Sequence, residues 1–238
     1  KMFWWYNMYS SADWSVTPRP IYPADGRKVF DVYAHPPGLR DKLVGELGEF
    51  PFPSFWGPRA GLPSSQWIAD SARWVEEWEQ PDLNLVYLPH LDYGLQRWGP
   101  DAPEMGAEFE AIDRLVDELI SFFVKRGVEV VLLSEYGISK VRKPVHLNRV
   151  FRDKGWIQIK NELGLELLDA GASRAFAVAD HQVAHVYVRD DSIRNEVRCV
   201  LEATEGVAEV RESGFGDGIG ARRAGDFIAV SSPESWFT

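Results

Sequence analysis

Asp92 and Glu135 are the residues best placed to do chemistry, because each follows a short apolar run that is typical of a buried β-strand. Asp92 lies in residues 85–100 (LVYLPHLDYGLQRWGP) and Glu135 in residues 128–139 (VEVVLLSEYGIS). In an open α/β sheet, ligands bind just beyond the carboxyl ends of the strands, and carboxylates there suit divalent cations. The structural alternatives are a capping role for Asp92 and an ion pair between Glu135 and a nearby arginine.

Four other side chains could join such a site. His90 lies two residues before Asp92, so on an extended chain both would point to one face and could share a metal or a proton. Tyr136 follows Glu135 and could donate to an oxyanion or, if ionised, bind a cation. His181 and His185 are four apart in a strand-like run, so their imidazoles could converge. Packing explains His90 at least as well, and core packing or hydrogen bonding is the favoured explanation for His181 and His185.

The elements that must position these residues alternate between strands and helices. Residues 104–126 carry apolar side chains at helical spacing and end in Lys125, Arg126 and Gly127, as a helix with a basic last turn and a glycine cap does. A helix between two apolar strands makes the strands neighbours in a parallel sheet. We therefore predict strands over 85–88 and 128–133, a loop over 10–27, and helices over 39–47, 64–79, 147–154 and 192–203.

Composition limits the class of protein. The net charge of −10 and the pI of about 5 argue against a nucleic-acid polymer as partner, because such partners select basic surfaces. The sequence shows no signal peptide and no long apolar span, which favours a soluble protein without a membrane partner in a reducing, cytoplasmic compartment. The single cysteine, Cys199, excludes an intrachain disulfide and is predicted to be a core thiol.

Both ends of the sequence read as interior segments. The first residue is Lys1, residues 1–9 (KMFWWYNMY) resemble a buried strand, and the last residues include Trp236 and Phe237. We therefore expect one α/β domain over residues 1–238, truncated at both ends, with a smaller cap-like subregion over 140–225. The glycine-rich run 214–220 (GFGDGIG) is predicted to be a surface hairpin, since it lacks the pattern of a phosphate loop.

Several motifs, in order, resemble the type I phosphodiesterase/nucleotide pyrophosphatase family of the alkaline phosphatase superfamily. LPHLDYGLQRWGP looks like that family's D-x-x-G-H-x-x-G-P motif, and LLSEYGIS looks like its S-D-H-G-M strand end. HLNRVFRDKGW, FAVADHQVAHVYV and RRAGDFIAV are similar to the segments that follow. The similarity covers most of the chain from about residue 83 and is greatest to a bacterial subgroup with S-E-Y-G.

This resemblance implies a fold, a reaction and a cofactor. The fold is an α/β/α sandwich around a mostly parallel central sheet, and the reaction is metal-dependent hydrolysis of phosphodiester or pyrophosphate bonds in small, nucleotide-like substrates. Asp92 matches a metal-ligand aspartate, and Glu135 matches a second one. Gln96 and Tyr136 stand where the family has histidines, which shifts the expected cation from Zn toward Mn or Mg.

The resemblance also leaves alternatives open. The nucleophile is expected outside residues 1–238, so this fragment alone is expected to be inactive. Loss of both histidines could instead indicate a degenerate phosphate-binding or scaffold protein. A related sulfatase or phosphomutase shares the fold. The oligomeric state cannot be read from the sequence.

Overall fold

The computed structural model describes residues 2–3, 10–213 and 223–238. The chain divides into two compact units, Lys1–Ile138 and Ser139–Thr238. Both contain helices and strands, so the predicted α/β class is confirmed. The second unit begins close to the predicted cap-like subregion 140–225; that subregion and the single-domain organisation stay predictions.

The described residues of the first unit form a small sheet and four α-helices. In chain order the elements are β1 (Met2–Phe3), β2 (Ser15–Ile21), β3 (Val29–His35), α1 (Leu39–Leu47), α2 (Leu62–Glu79), α3 (His90–Trp98) and α4 (Glu104–Val124). Strand β2 pairs with β1 in parallel and with β3 antiparallel. The loop predicted over 10–27 is therefore wrong. Pro18 and Pro20 lie inside β2, a position that proline can occupy where its missing N–H removes no ladder bond.

Helical periodicity correctly located the core of this unit. Trp67, Ile68 and Val75 on α2 are buried in one apolar cluster, and Leu115 and Leu119 on α4 are buried in another. These are positions that recur on one face of a helix, so burying them fixes which side of each helix faces inward.

Helix α3 packs closely against α4 at Gly94. A Cβ atom built at Gly94 would lie 3.3 Å from the Sδ atom of Met105, which is buried on α4. A side chain at this position would require the Met105 side chain to shift. This packing sets the position of the first turn of α3, which carries Asp92.

The strands predicted before Asp92 and Glu135, over 85–88 and 128–133, do not form in this structure, so these two predictions are wrong. Among the described residues, only Leu85 of residues 85–88 forms a β-bridge, and 128–133 forms no ladder. Val131, Leu132 and Leu133 are 76%, 68% and 76% exposed. An apolar run becomes a buried strand only when neighbouring strands satisfy its backbone and cover its side chains, and the described residues supply neither here.

The second unit is built on an antiparallel sheet. Its elements are β4 (Lys143–Val145), α5 (Leu147–Asp153), β5 (Ile159–Glu162), β6 (Leu165–Leu168), β7 (Ala175–Asp180), β8 (Val183–Val188), α6 (Arg194–Ala203), β9 (Val207–Glu212), β10 (Phe227–Ser231) and β11 (Ser235–Phe237). The largest sheet has the order β7–β8–β10–β9. Its ladders are antiparallel, and β4–β11 is a parallel pair. These sheets therefore differ from the one large parallel sheet that was expected.

One face of the four-stranded sheet forms the core of this unit. Val186 and Phe227 from the sheet pack with Val197 and Leu201 from α6 and Phe151 from α5. Alternate residues of β8 and β10 are buried in this layer, as expected for an antiparallel sheet with one covered face.

The free edge of β7 is covered by a side chain. Asn148 on α5 donates from Nδ2 to the Ala177 carbonyl at 2.8 Å, and its Oδ1 accepts from the Ala177 N–H at 2.8 Å. Both backbone groups of Ala177 that face away from β8 are thus satisfied. Asn148 also ties α5 to the sheet.

Several local predictions can be compared directly with this unit. Strand β5 begins at Ile159, and Trp156 before it is buried. The predicted burial of Cys199 is wrong: its thiol is exposed on α6. The predictions for residues 4–9 and 214–220 lie outside the described residues. No helix in the described residues is long and apolar enough to cross a membrane.

Candidate active site

Asp92 lies in the first turn of α3 and not at the end of a strand. The helix starts after Pro89, whose carbonyl accepts from the Asp92 N–H at 3.3 Å. Unpaired N–H groups give the first turn of a helix a partial positive charge, which stabilises a carboxylate there. The sequence predicted Asp92 at the end of a strand, and this prediction is wrong because α3 begins at His90.

Both carboxylate oxygens of Asp92 accept hydrogen bonds. Gln96, one helical turn later, donates from Nε2 to Oδ2 at 2.9 Å. Tyr136 donates from its hydroxyl to Oδ1 at 2.9 Å, although it is 44 positions away in sequence. The structure thus joins three of the predicted site residues, and the two donors fix the orientation of the carboxylate.

The segment after residue 133 holds Tyr136 in place through a local turn. Ser134 donates from its hydroxyl to the Tyr136 carbonyl at 2.6 Å. The Tyr136 side chain is half exposed. Its phenol therefore reaches Asp92 from a loop and not from a strand end, and solvent has access to this contact.

Three phenols near Asp92 are stabilised in their protonated form. Burial raises the pKa of Tyr136, and the hydrogen bond to Asp92 and the charges of Asp92 and Glu135 raise it further. Burial, followed by the charges of Glu135 and Asp92, also raises the pKa of Tyr87. Burial raises the pKa of Tyr93 as well, with a smaller contribution from Asp92 and opposing hydrogen bonds. All three phenols therefore keep their protons at neutral pH, and Tyr136 donates its proton to Asp92.

Glu135 belongs to the same electrostatic environment as Asp92. Its charge acts on the phenols of both Tyr87 and Tyr136. Two carboxylates close to the same phenols make this region negative, which would attract a cation. Tyr87 was missed by sequence reasoning; its place one residue before the end of the apolar run 85–88 was the available signal.

His90 does not share a face with Asp92. It is 4% exposed, and its Nε2 lies 2.6 Å from Oε2 of Glu108 on α4. Neither imidazole nitrogen makes a hydrogen bond of good geometry among the described residues, so this contact is an ion pair only when His90 is protonated. Residues two apart point in different directions on a helix. His90 thus joins α3 to α4, whereas Asp92 faces Tyr136.

The two histidines of the second unit occupy different settings. His181 lies in the turn between β7 and β8, with φ of 55°, and its side chain is 78% exposed. His185 lies on β8, and its Nδ1 accepts from the Gly225 N–H at 3.2 Å. The prediction that both lie on one strand is wrong. His181 lies in the hairpin turn that precedes β8, whereas His185 lies within β8.

The described residues match a divalent cation in donor type but not in donor number. Asp92, Glu135, Gln96 and Tyr136 offer oxygen atoms, which hard cations prefer. Within the described ranges, however, no group of three His, Cys, Asp or Glu side chains could hold a metal ion. A complete coordination shell would need ligands in addition to these.

Comparison with known proteins identifies the family. The family model described as type I phosphodiesterase/nucleotide pyrophosphatase matches residues 1–238. The chain belongs to this family. Over 65 residues, this family member is 32% identical to an uncharacterized pyrophosphatase/phosphodiesterase of Schizosaccharomyces pombe. The aligned stretch covers 26% of this chain and 13% of that protein.

Two solved structures are also similar to this family member. Phosphonoacetate hydrolase from Sinorhizobium meliloti, in complex with phosphonoacetate, has 16% identity and a TM-score of 0.48, with 92% of this chain and 65% of that chain covered. Murine ectonucleotide pyrophosphatase/phosphodiesterase 5 has 18% identity and a TM-score of 0.47, with 71% and 44% covered. An inactive variant of the murine protein is known in complex with AMP. The chain thus spans less than two thirds of each of these relatives.

Proposed function

We propose that the protein carrying this chain hydrolyses phosphodiester or pyrophosphate bonds in small, nucleotide-like substrates, and that Asp92 and Glu135 help to bind a divalent cation. The observation that carries the proposal is the family match over residues 1–238. The cluster of Asp92, Gln96 and Tyr136 lies within the segments that resemble the family's motifs. Glu135 adjoins Tyr136 in the same segment.

The charge of the site is the reason for including a cation. A phosphodiester is an anion, and Asp92 and Glu135 alone would repel it. A bound divalent cation would neutralise charge on the transferring phosphoryl group. Oxygen donors favour Mn or Mg over Zn, although the family resemblance includes Zn.

The chain's own residues have separable roles in this proposal. Gln96 and Tyr136 orient the Asp92 carboxylate, each through one hydrogen bond. Each oxygen of Asp92 has a remaining lone pair for a cation. Tyr136, held protonated, can also turn from Asp92 and donate to a phosphoryl oxygen. The nucleophile is not assigned to a residue of this chain.

A second function is favoured by a specific observation. Both oxygens of Asp92 are already hydrogen-bonded, and the described residues do not complete a metal site. A degenerate family member that binds phosphate compounds without turnover would have these properties. The two functions differ in whether substrate is consumed.

The test is hydrolysis of bis(p-nitrophenyl) phosphate by the full natural protein, before and after EDTA treatment and after addition of Zn, Mn or Mg. We expect EDTA to abolish turnover and one of the cations to restore it. Replacement Asp92→Ala should lower the restored rate by more than about 100-fold, since even residues that merely support metal ligands contribute 10–100-fold.

The matched control is Asp113→Asn, which alters an exposed carboxylate on α4 away from the cluster. It should leave the rate unchanged. EDTA-resistant turnover, or full activity in Asp92→Ala, would refute the proposed site. Absence of turnover with every cation, together with binding of inorganic phosphate in equilibrium dialysis, would favour the binding protein.

A further inference from the structure

The hairpin of β5 and β6 has an exact register. Glu162 pairs with Leu165 and Ile159 with Leu168, so the turn consists of Leu163 and Gly164. Their φ values are 52° and 79°, and two successive positive values define a type I′ turn. The hydrogen bond that closes such a turn makes Glu162 and Leu165 a hydrogen-bonded pair.

This register fixes which backbone groups of β5 face outward. Hydrogen-bonded and non-hydrogen-bonded pairs alternate along an antiparallel ladder. The even-numbered residues therefore bond toward β6, and the Asp169 N–H donating to the Gln158 carbonyl at 2.9 Å continues that series. Ile159 and Asn161 direct their N–H and C=O groups to the opposite side. In the described part of the chain that edge carries no further strand.

The β5–β6 hairpin exposes four leucine side chains to solvent. Leu163 is 104% exposed, Leu165 is 65% exposed, and Leu167 and Leu168 are about 40% exposed. A two-stranded hairpin alone is only marginally stable in water, and contiguous exposed apolar residues mark an interaction surface.

We propose that the outer edge of β5 pairs antiparallel with β5 of a second copy of this chain, with Asn161 opposite Asn161 of the second copy. The sequence Ile159–Leu163 is chemically symmetric about Asn161: an apolar residue at each end, then a cation on one side and an anion on the other. This pairing places Lys160 opposite Glu162 of the second copy and Ile159 opposite Leu163 of the second copy. Each contact occurs twice.

The alternation of backbone groups excludes the nearest competing registers. A shift by one residue would set an outward-facing residue opposite an inward-facing one, which cannot form the ladder. The next permitted registers centre on Lys160 or on Glu162, and they place two lysines or two glutamates directly opposite each other, which is destabilising. Only the Asn161-centred register joins opposite charges.

The proposed pairing also explains the exposure of the hairpin tip. Leu163, the first residue of the turn, would lie beside Ile159 of the second copy, which would cover part of its exposed side chain. Lys160 and Glu162 already form an ion pair within one chain at 2.8 Å. That pair is exposed and contributes little alone. When the one pair within each copy is replaced by two pairs between the copies, no charge is left unpaired.

Disulfide formation tests the register. In a Cys199→Ser background, Asn161→Cys places two thiols on directly opposed residues, whose Cα atoms in a hydrogen-bonded pair are about 5.5 Å apart, within disulfide range. We expect oxidation to give a covalent dimer of a chain of 27.0 kDa. Lys160→Cys is the control, because its thiol faces residue 162 of the second copy. Equal cross-linking of both variants, or none in Asn161→Cys, would overturn the proposal.

Charge exchange tests the same interface without cysteine. Lys160→Glu should weaken the dimer by about tenfold or more in sedimentation equilibrium, because two glutamates then face each other twice. The double variant Lys160→Glu, Glu162→Lys should restore the dimer. A natural chain that stays monomeric at high concentration, or a dimer unaffected by Lys160→Glu, would overturn the proposal.

Discussion

Replacement Tyr136→Phe removes one hydroxyl and so isolates the hydrogen bond to Asp92. The phenol donates to Oδ1 of Asp92 at 2.9 Å, and phenylalanine preserves the ring. We expect the free energy of unfolding to fall, because Asp92 keeps only its bond from Gln96. The backbone turn held by Ser134 should stay intact, since Ser134 bonds to the carbonyl of residue 136.

The expected loss follows from the exposure of the contact. A hydrogen bond to a charged group contributes about 1.5–3 kcal/mol when well buried. Tyr136 is 52% exposed, so water can replace much of that interaction. We therefore expect a loss of about 0.5–1.5 kcal/mol. In a chain of this size, each kcal/mol corresponds to a change in Tm of roughly 2–4 °C.

The dependence on pH gives a second, independent measure. The pKa of Tyr136 is raised in the folded state, chiefly by burial and then by Asp92. The folded state therefore holds the phenolic proton more tightly than the unfolded state. The resulting stability is fully present below pH 10, the ordinary phenol value, and is lost as the pH rises from there toward the raised pKa. Tyr136→Phe should flatten this alkaline decline.

Urea unfolding of the natural chain, Tyr136→Phe, Asp92→Asn and the double variant would measure the interaction as a coupling free energy. Tyr22→Phe is the control, because Tyr22 is an exposed tyrosine outside the cluster. The reasoning would be refuted by a coupling energy near zero, or by an alkaline decline that is as steep in Tyr136→Phe as in the Tyr22→Phe control.

Two further predictions concern the packing of each unit. His90→Ala should destabilise the chain by about 1–3 kcal/mol, because it leaves a cavity beside α4 and removes the 2.6 Å contact to Glu108; a Glu108→Gln cycle would show whether the loss depends on that contact. Gly225→Ala should cost more than about 2 kcal/mol, since a Cβ there would lie 2.5 Å from the Val186 carbonyl oxygen, whereas Gly106→Ala on α4, with open space around it, should be neutral or stabilising. Thermal unfolding monitored by circular dichroism measures the stability of every variant. Equal effects of Gly225→Ala and Gly106→Ala would contradict the prediction for Gly225.

The sequence was informative where structure depends on local periodicity. Helix α4 was predicted over 104–126 and spans Glu104–Val124, because one apolar face recurs every three to four residues. The strand prediction for residues 128–133 failed for the opposite reason. A strand forms only when other strands hydrogen-bond to it, and the apolar pattern of one segment does not show whether such partners exist. Cys199 was misplaced because residue type gives only an average burial, whereas its face of α6 is exposed.

The candidate site shows the same division. The sequence and its family resemblance selected Asp92, Gln96 and Tyr136, and the structure joins them. The contact between His90 and Glu108 could not be predicted, because it depends on how α3 lies against α4. That packing includes the close approach of Gly94 to Met105, for which composition gives no signal.

The pairing of Asn148 with Ala177 has a consequence for solubility. An exposed edge strand is a template on which other chains can add strands and aggregate. A carboxamide offers one donor and one acceptor, so Asn148 satisfies the edge of β7 as a neighbouring strand would, but it cannot itself be extended. Aspartate at this position would leave the Ala177 carbonyl without its donor. The side chain of Asn148 therefore occupies the edge of β7 at Ala177, where an added strand would otherwise form its hydrogen bonds.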